Sequence, residues 1–330
     1  MKSIVQNSIN HLFNQNDAKR VYSYTLIDKH LIHLNEHLDF NLFALDTPTH
    51  MSLFLQSDSI VDEQQQKRIQ KIEYLYIRDK DKDNYDDFLE NNLQSILKDN
   101  TIPLDEKVNI IYSSTAELTH SLYANPQRLE NLQHSKAIVT PIIDTVLKND
   151  KTIVSYMKII EYDYYTHTHS LNVSIYAVCL GVELGLDKDT LKNLGQSALL
   201  HDLGKSSIDE KILNKETKLT EEEFSIMKLH PVYGYEIALK IGITDEDILD
   251  GIAHHHEKLN ARGYPDALRD KEITLFPRII AVCDIFDALT THRSYKDSMT
   301  SYNALMIMKK EMKGHLDMKI LETFIRMLHG

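Results

Sequence analysis

The chain has 330 residues, 42% of them hydrophobic, with a net charge of −12 and a pI near 5.8, which is material for sizeable cores in two or three domains. The acidic balance excludes generic binding to DNA or to an anionic membrane, so an anionic substrate has to be attracted locally. Its two cysteines, Cys179 and Cys283, sit in apolar text, the usage of a reducing compartment rather than of a disulfide framework.

From residue 1 to about 100 the text predicts a small α/β (α+β) regulatory domain. Val21–Ile27, Phe40–Leu45, Met51–Leu55 and Ile72–Ile77 are short β-branched, aromatic or apolar runs bounded by polar residues, hence strands. Asp62–Lys71 and Tyr85–Leu97 are rich in helix formers, and the charge run Arg78–Asp87 predicts a solvated turn and helix start. The N-terminal MKSIVQNSINHLFNQ carries no apolar leader, and no apolar run reaches the roughly 18 residues of a membrane span. A soluble, cytoplasmic protein is the expectation. Residues 101–140 predict a helical connector broken at Asn125-Pro126. Residues 141–330 read as an all-α helical bundle, punctuated by Gly185, Gly204, Gly242 and Pro265.

Within that bundle the chemistry gathers on imidazoles and carboxylates. His169 shares a helical face with Val173, Tyr176, Ala177, Leu180 and Leu184; alone, it reads as a core histidine. An apolar helix then runs into His201-Asp202-Leu203-Gly204-Lys205, stopping at a glycine suited to a C-cap. Adjacent His and Asp side chains at a helix end can reach two metals, with the aspartate between them and the lysine cation beside. The plainer alternative is a histidine favoured by the helix dipole beside a solvated aspartate. His230 precedes Pro231 at a helix boundary, and His254-His255-His256 lead into a Gly263-Tyr264-Pro265 turn. The apolar helix Arg278–Thr290 is interrupted by Asp284 and Asp287, and a buried carboxylate needs a partner. A metal is the partner expected of Asp284, an N-cap or salt bridge that of Asp287. Histidines and carboxylates without cysteine suit two divalent ions such as iron or manganese.

Together, His169, His201-Asp202-Leu203-Gly204-Lys205, His230-Pro231, His255-His256-Glu257, Gly263-Tyr264-Pro265 and Asp284…Asp287-Ala288-Leu289-Thr290…Arg293…Tyr295-Lys296 resemble the HD-GYP phosphodiesterases, a branch of the HD metal-dependent phosphohydrolases. The intervening Leu213-Asn214-Lys215 and Leu219-Thr220-Glu221-Glu222-Glu223-Phe224 match as well. The resemblance covers about residues 140 to 330. It implies hydrolysis of cyclic di-GMP to pGpG, and on to GMP in many members, by water activated at a metal pair. The implied metal ligands are His169, His201, Asp202, His230, His255, His256 and Asp284, with Asp202 bridging and His254 a neighbour. Asp202 and Lys205 would serve catalysis; Lys205, Arg293, Lys296 and Tyr264 would meet the substrate. Diguanylate cyclases of the GGDEF type are implied partners through the GYP loop, and a homodimer is compatible.

Two positions depart from the family pattern. Members holding three metals carry a glutamate four residues before the first histidine; here that place is Tyr165, with Asp163 the one nearby substitute, so two metals are expected. The acidic and glycine residues that lead into the GYP turn appear as Asn260-Ala261-Arg262, which leaves nucleotide preference open. A 3′,3′-cGAMP phosphodiesterase and a weakly active cyclic di-GMP sensor are the alternatives. A nucleotide phosphohydrolase of the broader HD group fits less well, because of the second histidine pair and the GYP turn.

Overall fold

A computed structural model describes residues 23–47, 50–149, 151–162, 168–215, 217–291 and 299–329. The chain divides into two compact units between Ser95 and Ile96.

The first unit pairs its predicted strands into one antiparallel sheet. The strands form as β1 (Tyr24–Ile27), β3 (Leu42–Thr47), β4 (His50–Leu55) and β6 (Leu75–Arg78), in the order β1-β6-β3-β4. Two further strands, β2 (His37–Leu38) and β5 (Ser59–Ile60), pair separately; with two residues each they are too short to show alternation. Helix α1 (Glu63–Lys71) starts on a capping box: the Gln65 amide donates to Asp62 Oδ1 at 2.7 Å, and the Asp62 amide donates to Gln65 Oε1 at 2.8 Å. Helix α2 (Lys82–Lys98) follows, and Tyr85 and Phe88 on it close an aromatic core around Phe40, with ring centroids 5.5 and 5.4 Å from it. The charge run does hold the turn and helix start, at Asp79–Asp81 and Lys82, but it is not wholly solvated. Asp86 is buried, held by Lys82 Nζ at 3.0 Å: the helical period that turns Tyr85 and Leu89 inward takes Asp86 part of the way with them.

The second unit is helical, and its described residues contain isolated bridges but no strand. Its helices are α3 (Leu104–Ala124), α4 (Asn131–Lys148), α5 (Lys151–Tyr162), α6 (His169–Glu183), α7 (Lys188–Leu200), α8 (Glu210–Leu213), α9 (Glu221–Met227), α10 (His230–Lys240), α11 (Glu246–His254), α12 (Leu275–Thr290), α13 (Ser301–Glu311) and α14 (Met318–His329). No helix among the described residues is long and apolar enough to cross a membrane. Every residue of α6 from Ser170 to Gly181 is buried, the mark of a helix enclosed on all sides. Around it pack α7, α12, α4 and α14. Helix α3 ends at Ala124, just before the Asn125-Pro126 break. Helices α3 and α4, which span the stretch read as a connector, pack against α6 and α7, through hydrogen bonds such as Gln196 Nε2 to Ser135 Oγ at 2.7 Å.

Candidate metal centre

Three of the histidines are aimed by the same local device. Each sits where a helix starts or ends and donates Nδ1–H to the carbonyl three residues back: His201 to Ala198 at 2.7 Å, His230 to Met227 at 2.8 Å, His255 to Ile252 at 2.9 Å. A carbonyl only accepts, so the proton is on Nδ1 and the Nε2 lone pair is left to face the site. His230 opens α10 ahead of Pro231, and His255 follows the last residue of α11.

Those lone pairs converge on Asp202. Its Oδ1 lies 3.2 Å from His230 Nε2 and 3.9 Å from His255 Nε2; its Oδ2 lies 3.4 Å from His201 Nε2 and 3.6 Å from His169 Nε2. His169 Nε2 is also 3.2 Å from Asp284 Oδ1, and His230 Nε2 is 3.3 Å from His255 Nε2. The seven side chains fall into two groups, Asp202 with His230, His255 and His256, and His169 with His201 and Asp284; within each group the ligand atoms lie within 4.8 Å of one another. His169 Nε2, His201 Nε2 and Asp202 Oδ1 are buried without a well-directed hydrogen bond. Buried acceptors such as His201 Nε2 and Asp202 Oδ1 that face other acceptors repel unless positive charge lies between them, a bound cation or, without one, a proton on His169. The donor set, five imidazoles and two carboxylates, fits divalent iron or manganese.

The protonation states suit ligands. Burial works to raise the Asp202 carboxyl, but Lys205 and His201 beside it outweigh this and hold it well below the usual carboxylate range. Burial likewise opposes the Asp284 charge, and His169 more than offsets it. Burial pushes His256 down to about 4, and burial with its imidazole neighbours His256 and His201 lowers His255 well below the histidine range; both are neutral at pH 7. His169 is the exception. Burial disfavours its charge, yet the hydrogen bonds its ring donates to the Asp284 and Asp287 carboxylates prevail and push it up to about 10. Lys205 Nζ reaches Asp202 Oδ2 at 2.5 Å while its side chain stays about one-third exposed, at 35%.

Gly204 is not the helix C-cap that the sequence suggested. Helix α7 already stops at Leu200, and Gly204 lies in the 3-10 turn Leu203–Ser207 without a left-handed backbone. Its reason is proximity: a Cβ there would lie 2.0 Å from the His230 carbonyl oxygen and 2.3 Å from the Gly234 amide nitrogen. The missing side chain lets α10 touch the turn, which brings His230 to Asp202.

The GYP loop is pinned by Glu257. Its buried carboxylate accepts from the Asp266 amide at 2.7 Å and the Leu268 amide at 3.0 Å. The pin sets Tyr264, whose ring lies 4.7 Å from that of His256, tilted by 31°; burial and the nearby Asp202 and Asp284 raise its phenol pKa. The Tyr264-Pro265 peptide is cis. His254 stands outside the ligand groups, bridging Asp250 (2.5 Å) and Asp266 (3.0 Å).

Of the two roles expected of Asp287 the structure shows the salt bridge, to His169, and not the N-cap. The residue is fully buried and well inside α12: Oδ2 accepts from His169 Nδ1 at 2.7 Å and Oδ1 from Asn172 Nδ2 at 3.1 Å. The readable signal was its spacing of three from Asp284, which puts both on one helical face. Arg293, Lys296, Tyr165 and Asp163 lie outside the described residues.

The HD domain family profile matches residues 154–320. A cyclic di-GMP phosphodiesterase of Pseudomonas aeruginosa is 33% identical over 193 residues, 58% of this chain and 46% of that protein. A cyclic di-GMP phosphodiesterase response regulator of Xanthomonas campestris pv. campestris is 37% identical over 147 residues, covering 44% and 38%. A 3′3′-cGAMP-specific phosphodiesterase of Vibrio cholerae is 31% identical over 242 residues, covering 69% and 50%. The chain thus spans half or less of the length of these curated relatives. Among solved structures, an HDG"Y"P protein of Bdellovibrio bacteriovorus shares the fold with a TM-score of 0.69 at 21% identity, over 93% of this chain and all of that one. The family profile matches half of the chain, which therefore belongs to the HD domain family.

Proposed function

We propose that the chain is a phosphodiesterase that hydrolyses cyclic di-GMP to pGpG, and on to GMP where the linear product rebinds, using two divalent cations, iron or manganese. The observation that carries this is the pair of adjoining ligand groups with Asp202 between them, whose buried atoms include His201 Nε2 and Asp202 Oδ1 without a hydrogen bond. Divalent cations held there would supply positive charge to a phosphodiester and lower the pKa of a bound water.

The protein's own residues support the same reading. Asp202 offers one oxygen toward each ligand group, Oδ1 to His230 and His255, Oδ2 to His201 and His169, the disposition of a bridging carboxylate. Lys205 is fixed by Asp202 at one end of the site and remains partly open to solvent, so its ammonium can stabilise charge that develops on phosphate oxygens. Tyr264 stacks beside His256 and walls the site from the loop side, where a purine ring finds an aromatic face. The matches to cyclic di-GMP phosphodiesterases add weight. Arg293 and Lys296 complete the proposed phosphate contacts. The exposed Arg262 in the GYP loop is a proposed contact for GGDEF-type cyclases.

A second reading, a 3′,3′-cGAMP phosphodiesterase, is favoured by the relatives of that name and by the altered loop Asn260-Ala261-Arg262. The test is turnover of both cyclic dinucleotides, side by side, by protein loaded with Mn²⁺ or Fe²⁺. Linear pGpG as the faster product supports the first reading, and faster loss of cGAMP the second. Binding without any linear product would reject both in favour of a sensor.

A further inference from the structure

The two ligand groups are not supported alike. His201, His230 and His255 are oriented by carbonyls of their own helical turns, a device that depends on backbone alone. His169 opens α6 and hangs instead on a chain of side chains from two other helices and its own. Its Nδ1 donates to Asp287 Oδ2 at 2.7 Å; Asp287 Oδ1 accepts from Asn172 Nδ2 at 3.1 Å; Asn172 Oδ1 accepts from Tyr112 Oη at 2.8 Å. Asp287 and Asn172 are buried to 0 and 1% exposure, and Tyr112 to 6%. The same helix, α3, makes a second attachment through Tyr123, whose Oη donates to the Leu199 carbonyl and shares a hydrogen bond with Ser170 Oγ, both at 2.8 Å. Leu199 and Ser170 flank His201 and His169. Helix α3 lies before residues 154–320, the stretch matched as HD domain.

We infer that Tyr112, Asn172 and Asp287 are positioning residues that set the orientation and tautomer of His169, so that the metal affinity of the His169–His201–Asp284 subsite depends on helix α3 while that of the His230–His255–His256 subsite does not. The relay fixes which ring nitrogen carries the proton. It also sets a carboxylate oxygen against the imidazole Nδ1, the arrangement that strengthens a histidine ligand. The inference rests on the two-cation reading above.

The test is titration of the metal-free full chain with Mn²⁺ alone, by calorimetry and electron paramagnetic resonance, comparing wild type with Asp287→Asn, Tyr112→Phe and Ser174→Ala. Ser174 Oγ donates to the Gly195 carbonyl at 2.8 Å and ties α6 to α7, so its variant loses a buried hydrogen bond of similar kind without touching the relay. Two classes of site are expected in the wild type. Asp287→Asn should weaken one class by about 10- to 100-fold, the range for outer partners of metal ligands. Tyr112→Phe, which keeps the ring and the fold, should weaken the same class by about 3- to 10-fold, the effect of one hydrogen bond. Ser174→Ala should weaken neither. Two-site wild type with unshifted relay variants, a parallel weakening of both classes, or an equal effect of Ser174→Ala would overturn the inference while leaving the dinuclear reading intact. A wild-type chain that takes up no Mn²⁺ would remove that reading, and the relay's role with it.

Discussion

Replacing Glu257 by glutamine tests how the GYP loop is held. In the native chain one buried carboxylate accepts two loop amides, from Asp266 at 2.7 Å and Leu268 at 3.0 Å, and Gly263 folds so tightly onto it that a Cβ there would lie 2.4 Å from Glu257 Cα. A glutamine has one acceptor oxygen, so one amide keeps a weaker, neutral partner and the other meets an NH₂ group. Hydrogen bonds to a charged acceptor are worth about 1.5–3 kcal/mol each. Losing one and weakening the other therefore costs the closed loop about 2–3 kcal/mol, or roughly 30- to 150-fold in its opening equilibrium at about 1.4 kcal/mol per tenfold. Hydrogen exchange at the amides of residues 258–268 reads this directly, and KM for the proposed substrate, cyclic di-GMP, reads its consequence at Tyr264. The expected outcome is faster exchange confined to the loop and a KM raised about tenfold or more, with metal content unchanged. Exchange at the wild-type rate in Glu257→Gln would refute the clamp.

Three other outcomes follow from the same geometry. Ala261 holds a left-handed backbone at φ 59°, so Ala261→Gly should stabilise the loop by roughly 1 kcal/mol, seen as slower exchange there; a loss of stability would contradict it. Gly204→Ala should force the 3-10 turn and α10 apart, because both close contacts are backbone atoms. A destabilisation of about 1–3 kcal/mol with weakened Mn²⁺ uptake is expected in denaturation and titration, and native affinity would count against the contact. His169, raised to about 10, is protonated in the metal-free chain below that value, and a metal must displace this proton. Metal affinity should therefore rise by about tenfold per pH unit from this residue up to about 10. About one proton per chain should be released from this residue at pH 7–8, measured by calorimetry in buffers of different ionisation enthalpy. Affinity flat over that window would refute the assignment.

Much of this was legible in the sequence because it is written locally. The four longer strands and both helices of the first unit follow from short β-branched, aromatic or apolar runs and from stretches of helix formers. The seven candidate ligands announced themselves as imidazoles and carboxylates in apolar helices, and the structure brings all seven together. What stayed hidden depends on distant partners. Nothing local says that Tyr112 on α3 reaches Asn172, or that Asp287 serves His169 more than a hundred residues away. Gly204 looked like a helix stop because glycine after an apolar helix usually is one; that it makes room for a backbone thirty residues on is a tertiary fact. Asp86 was read as solvated because its neighbours are charged, though the period of α2 buries it.

The central claim is that these seven side chains hold a pair of divalent cations, and the most direct measurement is metal content per chain. Anaerobically purified protein and its Asp202→Ala variant would be loaded with Fe²⁺ or Mn²⁺, desalted and analysed by mass spectrometry of the elements. About two equivalents in the wild type and fewer than one in the variant are expected, since Asp202 faces both ligand groups. No stoichiometric metal in the wild type, or equal uptake by Asp202→Ala, would contradict the account.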